Sequence, residues 1–366
     1  MSGINIALPP ASTFLFSRQR LLTQIALWRT HLPYVTPHYA VKSNNDPTLL
    51  QWLRKEGVRF DCASPREMQQ VLAAGSRPGH IVYAHPCKSM ADVQEAQRLC
   101  VPNTVVDSPE EVIKLAEGGW KGGVLVRLMV PDAGSAQPFS KKFGAPLPWV
   151  PDILTALKAA GLRHMGWSFH VGSLCTQPNQ FRTAIELCAS VSASNKAPAA
   201  IVDIGGGFIP DAAPFAAAAT EIRSAMRLFH PTTQWIAEPG RFMSAPVVEL
   251  QVQVIGVKRR TDGSGWRYTI DESIYGAFSN IPFDGQRPVY TLLDPDAAKR
   301  PRVRATLFGR TCDSADCLAE DIELPELRVG DWLSVQNMGS YTLVSASEFN
   351  GFPQPTCHYE ENDHLQ

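Results

Sequence analysis

Neither sign of charge is in excess in this chain. Its 34 lysines and arginines meet 35 aspartates and glutamates, for a formal net charge of -1. That balance excludes the broad basic face by which nucleic acids and anionic membranes are bound. Long apolar runs are lacking as well, and no stretch reaches the roughly 18 residues of a membrane span. The opening "MSGINIALPPASTFLF" has neither the basic start nor the continuous apolar centre of a secretory signal. Cysteine is sparse, with eight in 366 residues and no CxxC pair, which excludes a disulfide framework. No GxGxxG and no Walker lysine follows any strand-like run, so the nucleotide-binding folds are disfavoured. A reduced, cytoplasmic protein with no nucleic-acid or membrane partner is the expectation. With 44% hydrophobic and 19% charged residues it is long enough for two domains with sizeable cores.

What is present is regular alternation. Short apolar runs at 36–42, 58–63, 80–86, 103–107, 123–130, 164–172, 200–207 and 234–240 read as strands, with helical stretches between them. In "SPREMQQVLAAG" Ser64 is a candidate N-cap, Pro65 a first helical residue, Glu67 the partner of a capping box and Gly75 a terminator. "SPEEVIKLAEGG" repeats that design from Ser108, with Pro109, Glu111 and Gly118. Repeated strand-helix alternation argues for parallel pairing, and its length suits a (β/α)8 barrel. After about residue 245 the pattern changes to half-alternating, turn-separated strands such as "VVELQVQVIGVKRR" and "GDWLSVQN". The expected architecture is α/β plus β. A barrel domain covers 12–243, and a mainly antiparallel β domain covers 244–366 together with about 1–11.

Barrel chemistry sits at the C-terminal ends of the strands. Those ends carry Lys42, Asp61, His85, Asp107, Arg127, His170, the glycines Gly205, Gly206 and Gly207, and Glu238 with Arg241 beyond it. The glycines of "DIGGGF" either let a backbone close on an anion or merely make a tight turn. Arg241 of "AEPGRF" either neutralises a phosphate or forms a surface ion pair. Lys42, at the tip of "PHYAVKSNND", is either a Schiff-base lysine or scaffolding paired with Asp61. A phosphate site, an imine-forming lysine and a carboxylate such as Glu238 are together what pyridoxal phosphate requires.

The strings "YAVKSN", "FDCAS", "FHVGS", "DIGGGF", "AEPGR", "GRTCDSAD" and "MGSYTLVSASEFNGF" occur in order across nearly the whole chain. Together they resemble the fold-type III pyridoxal-phosphate decarboxylases, and most of all the eukaryotic-type ornithine decarboxylase group. The resemblance implies an alanine-racemase-like barrel, pyridoxal 5'-phosphate as cofactor and a homodimer with shared active sites. By motif it implies that Lys42 holds the cofactor, His170 stacks on its ring and Glu238 faces its ring nitrogen. Ser173, Gly206, Gly207, Gly240, Arg241 and Tyr341 would bind its phosphate, with Asp61 and Arg127 nearby. Cys312 would return a proton to Cα from the neighbouring subunit. Asp313, Asp284 and Tyr275 would line the substrate site, and Lys142 and Asp316 would form an ion pair between subunits.

Two carboxylates for one distal ammonium favour a basic L-amino acid, ornithine first and then lysine. The chain departs from that group at Phe283-Asp284-Gly285, where the group has Tyr-Asp-His, and at Arg310, where it has proline. An extra arginine near the substrate mouth suits an anionic substrate. The alternative is therefore decarboxylation of a modified amino acid, such as an aminocarboxypropyl group in a siderophore or peptide-nucleotide pathway. A non-catalytic binding homologue is a further alternative, and the presence of every cofactor and proton-donor residue argues against it.

Overall fold

The structure is a computed structural model that describes residues 11–361. The chain divides into two compact units, Thr23–Met243 and Ser244–Gln366 with Met1–Leu22. In the first, eight parallel strands close into a barrel. They are β1 (Val35–Ala40), β2 (Arg59–Cys62), β3 (Ile81–Tyr83), β4 (Asn103–Val106), β5 (Gly123–Arg127), β6 (Arg163–Ser168), β7 (Ile201–Asp203) and β8 (Gln234–Ala237). β8 closes against β1 through Trp235 opposite Val35 and Ile236 opposite Thr36. Inside, Val105, Leu125, Ile201 and Ile236 pack with Ala84 and Met165. These side chains come from strands far apart in sequence, so their contact sets the closure. Outside, Trp28, Phe208, Phe215 and Phe242 form an aromatic cluster, with Phe215 and Phe242 4.3 Å apart between ring centroids.

The caps act largely as the sequence implies. Ser64 Oγ accepts from the Glu67 N–H at 3.3 Å, and Glu67 Oε2 accepts from the Ala63 N–H at 2.6 Å. Burial pushes the Glu67 carboxyl from its ordinary 4.5 up to about 7, with Asp61 adding to the effect. The folded value lies above the unfolded one. The stabilisation from proton uptake is thus full below pH 4.5 and lost as the pH rises to 7. Glu67→Gln is therefore expected to gain on the wild type over that interval, by on the order of 3 kcal/mol. Urea midpoints at the two pH values measure this, and parallel pH dependence in the two proteins would disprove it. At the next repeat Ser108 caps in the same way, its Oγ 3.2 Å from the Glu111 nitrogen. The Glu111 carboxylate does not turn back to the cap, as a capping box would require. It pairs with buried Lys88 at 2.9 Å and with Lys114 at 2.7 Å.

The second unit is an eight-stranded, mainly antiparallel sheet. Val248–Arg259 is its longest strand and pairs antiparallel with Trp266–Ile270, Trp332–Val335 and Thr13–Ser17. The sequence reading began the barrel domain at 12, but Thr13–Ser17 hydrogen-bonds within this sheet, where Phe14 and Phe16 are fully buried. Residues 1–10, also expected in this domain, lie outside the described residues. Cys317–Pro325, mixed in polarity, and Tyr290–Leu292, only three residues long, are strands without a clear sequence signature, each registered by a neighbour, Arg302–Phe308 and Trp332–Val335 respectively. Among the described residues no helix is long and apolar enough to cross a membrane.

Candidate active site

Lys42 does not end β1 as an extended residue. The strand stops at Ala40, and Val41–Ser43 form one 3-10 turn. The turn is fixed from several sides. Tyr39 donates its hydroxyl to the Asn44 carbonyl at 2.9 Å, and Asn44 Oδ1 accepts from the Asp46 N–H at 3.0 Å. Asp46 caps the next helix, Pro47–Lys55, by accepting from the N–H groups of Thr48 and Leu49. A side chain on a turn so held is aimed rather than mobile. Lys42 Nζ lies 3.2 Å from Asp61 Oδ2, the carboxylate being 2% exposed and the lysine 43%.

Both line a cavity of about 240 Å³ at the C-terminal ends of the barrel strands. Its other walls are Ala63, Ala84, His85, Pro86, Arg127, Phe139, Phe143, His170 and Glu238. Arg127 is buried 5.2 Å over the Phe143 ring, and its guanidinium makes no hydrogen bond to the described residues. His170 packs on Phe139 with ring centroids 4.7 Å apart. Its Nδ1 accepts from the Gly172 N–H at 3.0 Å. Burial, helped by the charges of Arg127 and Lys42, holds this imidazole well below its ordinary pKa. The neutral ring therefore carries its proton on Nε2. Glu238 is raised well above the ordinary carboxyl value by burial, then by Asp203 and Asp61. Asp203 is raised as well, mainly by burial, so at neutral pH this buried pair retains a proton.

Beside the cavity the glycine turn is packed too tightly for side chains. Gly205 and Gly207 have φ of +63° and +102°, and a Cβ on Gly206 would lie 2.8 Å from the Glu238 carbonyl oxygen. The Glu238 N–H donates to the Gly205 carbonyl at 2.7 Å, tying the loops after β7 and β8 together. Arg241 Nη2 donates to Ser173 Oγ at 3.2 Å, and Gly240 packs on Ala40 and Ser43. Residues expected from seven of the eight strand ends thus meet on one rim. Asp107 does not join them, because its Oδ2 accepts the Gly144 N–H at 2.9 Å in a loop-holding role.

In the sheet unit, Asp313 accepts a very short hydrogen bond from the Tyr275 hydroxyl. Its Oδ1 also accepts from the Ala315 N–H, and these bonds hold the carboxyl below its ordinary range. The Tyr275 ring stacks on Phe349 at 4.3 Å, and the exposed Cys312 donates its N–H to Asn350 Oδ1 at 3.0 Å. Asp284 is buried in the short helix Asn280–Asp284, next to the left-handed Gly285. Tyr341 has φ of +54°.

Asp316 and Arg310 are both engaged within the sheet unit. Asp316 is 1% exposed, its carboxylate accepting from the N–H groups of Ile274 and Thr311 and from the Thr311 hydroxyl. Its pairing with Lys142 of a second copy is a proposal that belongs to the homodimer. Arg310 does not present a free cation. It pairs with Glu272 at 3.2 Å, donates to the Pro353 carbonyl at 2.6 Å and lies 4.6 Å over the Phe352 ring.

The sequence reading missed Phe139 and Phe143 as cavity walls, and Asp203 as the partner of Glu238. Only Asp203 left a usable sign, as the acidic residue that ends β7 directly before the glycines.

Residues 18–245 match the family described as "Pyridoxal-dependent decarboxylase, pyridoxal binding domain", and 172–339 its "C-terminal sheet domain". An ornithine decarboxylase of Schizosaccharomyces pombe is 37% identical over 93% of this chain and 82% of its own length. Antizyme inhibitor 2 of Xenopus laevis is 34% identical over 90% of this chain and 76% of its own. The crystal structure of an arginine decarboxylase from Paramecium bursaria Chlorella virus superposes with a TM-score of 0.92 at 32% identity, covering 96% of each chain. The cofactor of this enzyme is pyridoxal 5'-phosphate. The site's own geometry fits it, with an Arg127 guanidinium that makes no hydrogen bond among the described residues, a glycine turn that any Cβ would fill, and a carboxyl pair at Glu238 that retains a proton. The chain belongs to the fold-type III pyridoxal-phosphate-dependent decarboxylases.

Proposed function

We propose that this enzyme removes the α-carboxylate of a basic L-amino acid, ornithine first and lysine second, to give a diamine. The observation that carries this reading is one cavity lined by Lys42, Asp61, Arg127, His170 and Glu238. Lys42 Nζ holds the cofactor, and Asp61, 3.2 Å away, orients it. Gly206, Gly207, Gly240, Ser173 and Arg241 would hold the phosphate, and His170 and Arg127 would bind the ring. When bound, pyridoxal phosphate supplies an electron sink for the pair left on Cα as carbon dioxide departs. Glu238 supports that sink by sharing its retained proton with the ring nitrogen. In a homodimer, the thiol of Cys312 returns a proton to Cα.

For the substrate, Asp313 and Asp284 recognise the distal ammonium. Asp313 suits this because its hydrogen bonds from Ala315 and Tyr275 keep it ionised. A relative named ornithine decarboxylase at 37% identity supports the same class. The anionic-substrate alternative loses its motive, since Arg310 is spent on Glu272, Pro353 and Phe352. A binding-only role, suggested by the relative named antizyme inhibitor, is opposed by the presence of Lys42, His170, Glu238 and Cys312 together.

The test incubates the purified enzyme with its cofactor and ornithine, lysine, arginine, diaminobutyrate or an aminocarboxypropylated nucleotide. Carbon dioxide release and product mass are read. Ornithine is expected to turn over with the highest kcat/KM, and inertness of both ornithine and lysine would refute the assignment.

A further inference from the structure

His85 stands in the same cavity as Lys42 and Glu238, but no role has been given to it. It follows β3 by two residues, in the sharp turn "AHPCK". The turn fixes which ring edge faces where. His85 Nδ1 accepts the Cys87 N–H at 3.0 Å, so the opposite edge, carrying Nε2, remains for the cavity. Its ring lies edge-on to Phe143, with centroids 6.0 Å apart. From below, buried Lys88 donates to the His85 carbonyl at 2.9 Å, and Lys88 is itself clamped by Glu111 at the same distance. The imidazole is thus located by its backbone, by its own turn and by an aromatic neighbour. Nε2 has no protein partner among the described residues.

The charges around it settle the protonation state. Burial lowers the His85 pKa, and the cations Lys88, Lys142 and Lys42 lower it further, against a smaller opposing effect from Glu111. The ring is therefore neutral at physiological pH, with Nδ1 as acceptor and Nε2–H as a donor. A neutral donor of fixed direction in a cavity wall is a recognition element. It is matched to an acceptor, and an anionic oxygen makes the strongest such bond.

We propose that His85 is a ligand-contacting residue of this site, donating its Nε2–H to an anionic oxygen held in the cavity. Two oxygens have that chemistry, the ring oxygen of pyridoxal phosphate and the α-carboxylate of the amino acid. The second rests on the basic-amino-acid reading above. The first does not.

His85→Asn and His85→Phe separate these cases. Asparagine can keep the turn by accepting the Cys87 N–H through its own oxygen, while its shorter side chain draws the remaining amide donor back from the cavity. Phenylalanine keeps a ring against Phe143 and removes both nitrogens. Three quantities are measured in each variant: cofactor dissociation constant with the absorbance maximum, affinity of the holoenzyme for α-methylornithine and α-methyllysine, and affinity for putrescine and cadaverine. The α-methyl compounds keep the carboxylate, and the diamines lack it. Contact with the cofactor oxygen gives ~10-fold weaker cofactor binding and a shifted maximum, before any substrate is added. Contact with the carboxylate gives ~10-fold weaker α-methyl amino acid binding with diamine affinity unchanged. Either result supports the assignment. If every well-folded variant stays within about twofold of wild type in all three quantities, it is overturned. If the wild-type holoenzyme binds none of these amino acids or diamines, the substrate reading fails separately, and the cofactor measurement alone decides the role of His85.

Discussion

Lys42→Ala is expected to abolish the visible absorbance of lysine-bound cofactor and to lower kcat by roughly three orders of magnitude or more. Among the described residues no other lysine lines the cavity, and the turn that aims Lys42 is fixed by Tyr39, Asn44 and Asp46. A neighbouring amine therefore has no route to the same position. The glycine turn and Arg241, which we propose hold the phosphate, are untouched, so the variant is expected to bind pyridoxal phosphate more weakly but measurably. Circular dichroism tests whether loss of the cation beside Asp61 disturbs the fold. An absorbance band indifferent to the substitution would refute the role of Lys42. Mixing Lys42→Ala with Cys312→Ala subunits is expected to restore activity, because a mixed dimer with shared sites contains one intact site. No recovery from demonstrably mixed dimers would argue against sharing.

The largest effect on stability is expected at Lys88. Its side chain is 0% exposed and that of Glu111 4%, with 2.9 Å between Nζ and Oε1. Nζ also donates to the carbonyls of His85 and Val105 at 2.9 and 2.8 Å. Lys88→Met leaves a buried carboxylate with only the Lys114 ammonium and the residue 88 N–H, and removes the donor from two carbonyls. The expected cost is about 3–5 kcal/mol. Lys88→Met with Glu111→Gln is expected to recover part of that loss, because the stranded charge goes with the second substitution. Guanidinium denaturation of the holoenzymes measures both. A single variant within about 0.5 kcal/mol of wild type, as at an ordinary surface site, would refute the pairing.

These two lysines illustrate what a linear reading can find. Lys42 was legible because it follows an apolar strand and because glycines, a carboxylate and an arginine end other strands. Lys88 was not, since nothing in "HPCKS" distinguishes a buried lysine from a solvated one. Its counter-ion, Glu111, carried the signature of a helix cap. The cap is real at Ser108, but the glutamate had a stronger claim on it, a desolvated ammonium from the preceding loop. Similarly, Phe139 and Phe143 belong to no strand, and only the fold of the 128–145 segment brings them over Arg127 and His170.

By itself the sequence determined the barrel, the change to a sheet after about residue 245, and the set of polar residues on the strand ends. Those features rest on local physics, namely apolar periodicity, cap residues and glycine turns, each written within a dozen residues. Tertiary structure alone decided which polar residues are free to act. Arg310 is withdrawn by Glu272, 38 residues earlier, and Asp316 is oriented by the backbone of Ile274, 42 residues earlier. His85 is turned toward the cavity by its own loop above a buried ion pair. Burial and partnership at such separations depend on how distant segments pack, and no local pattern encodes them.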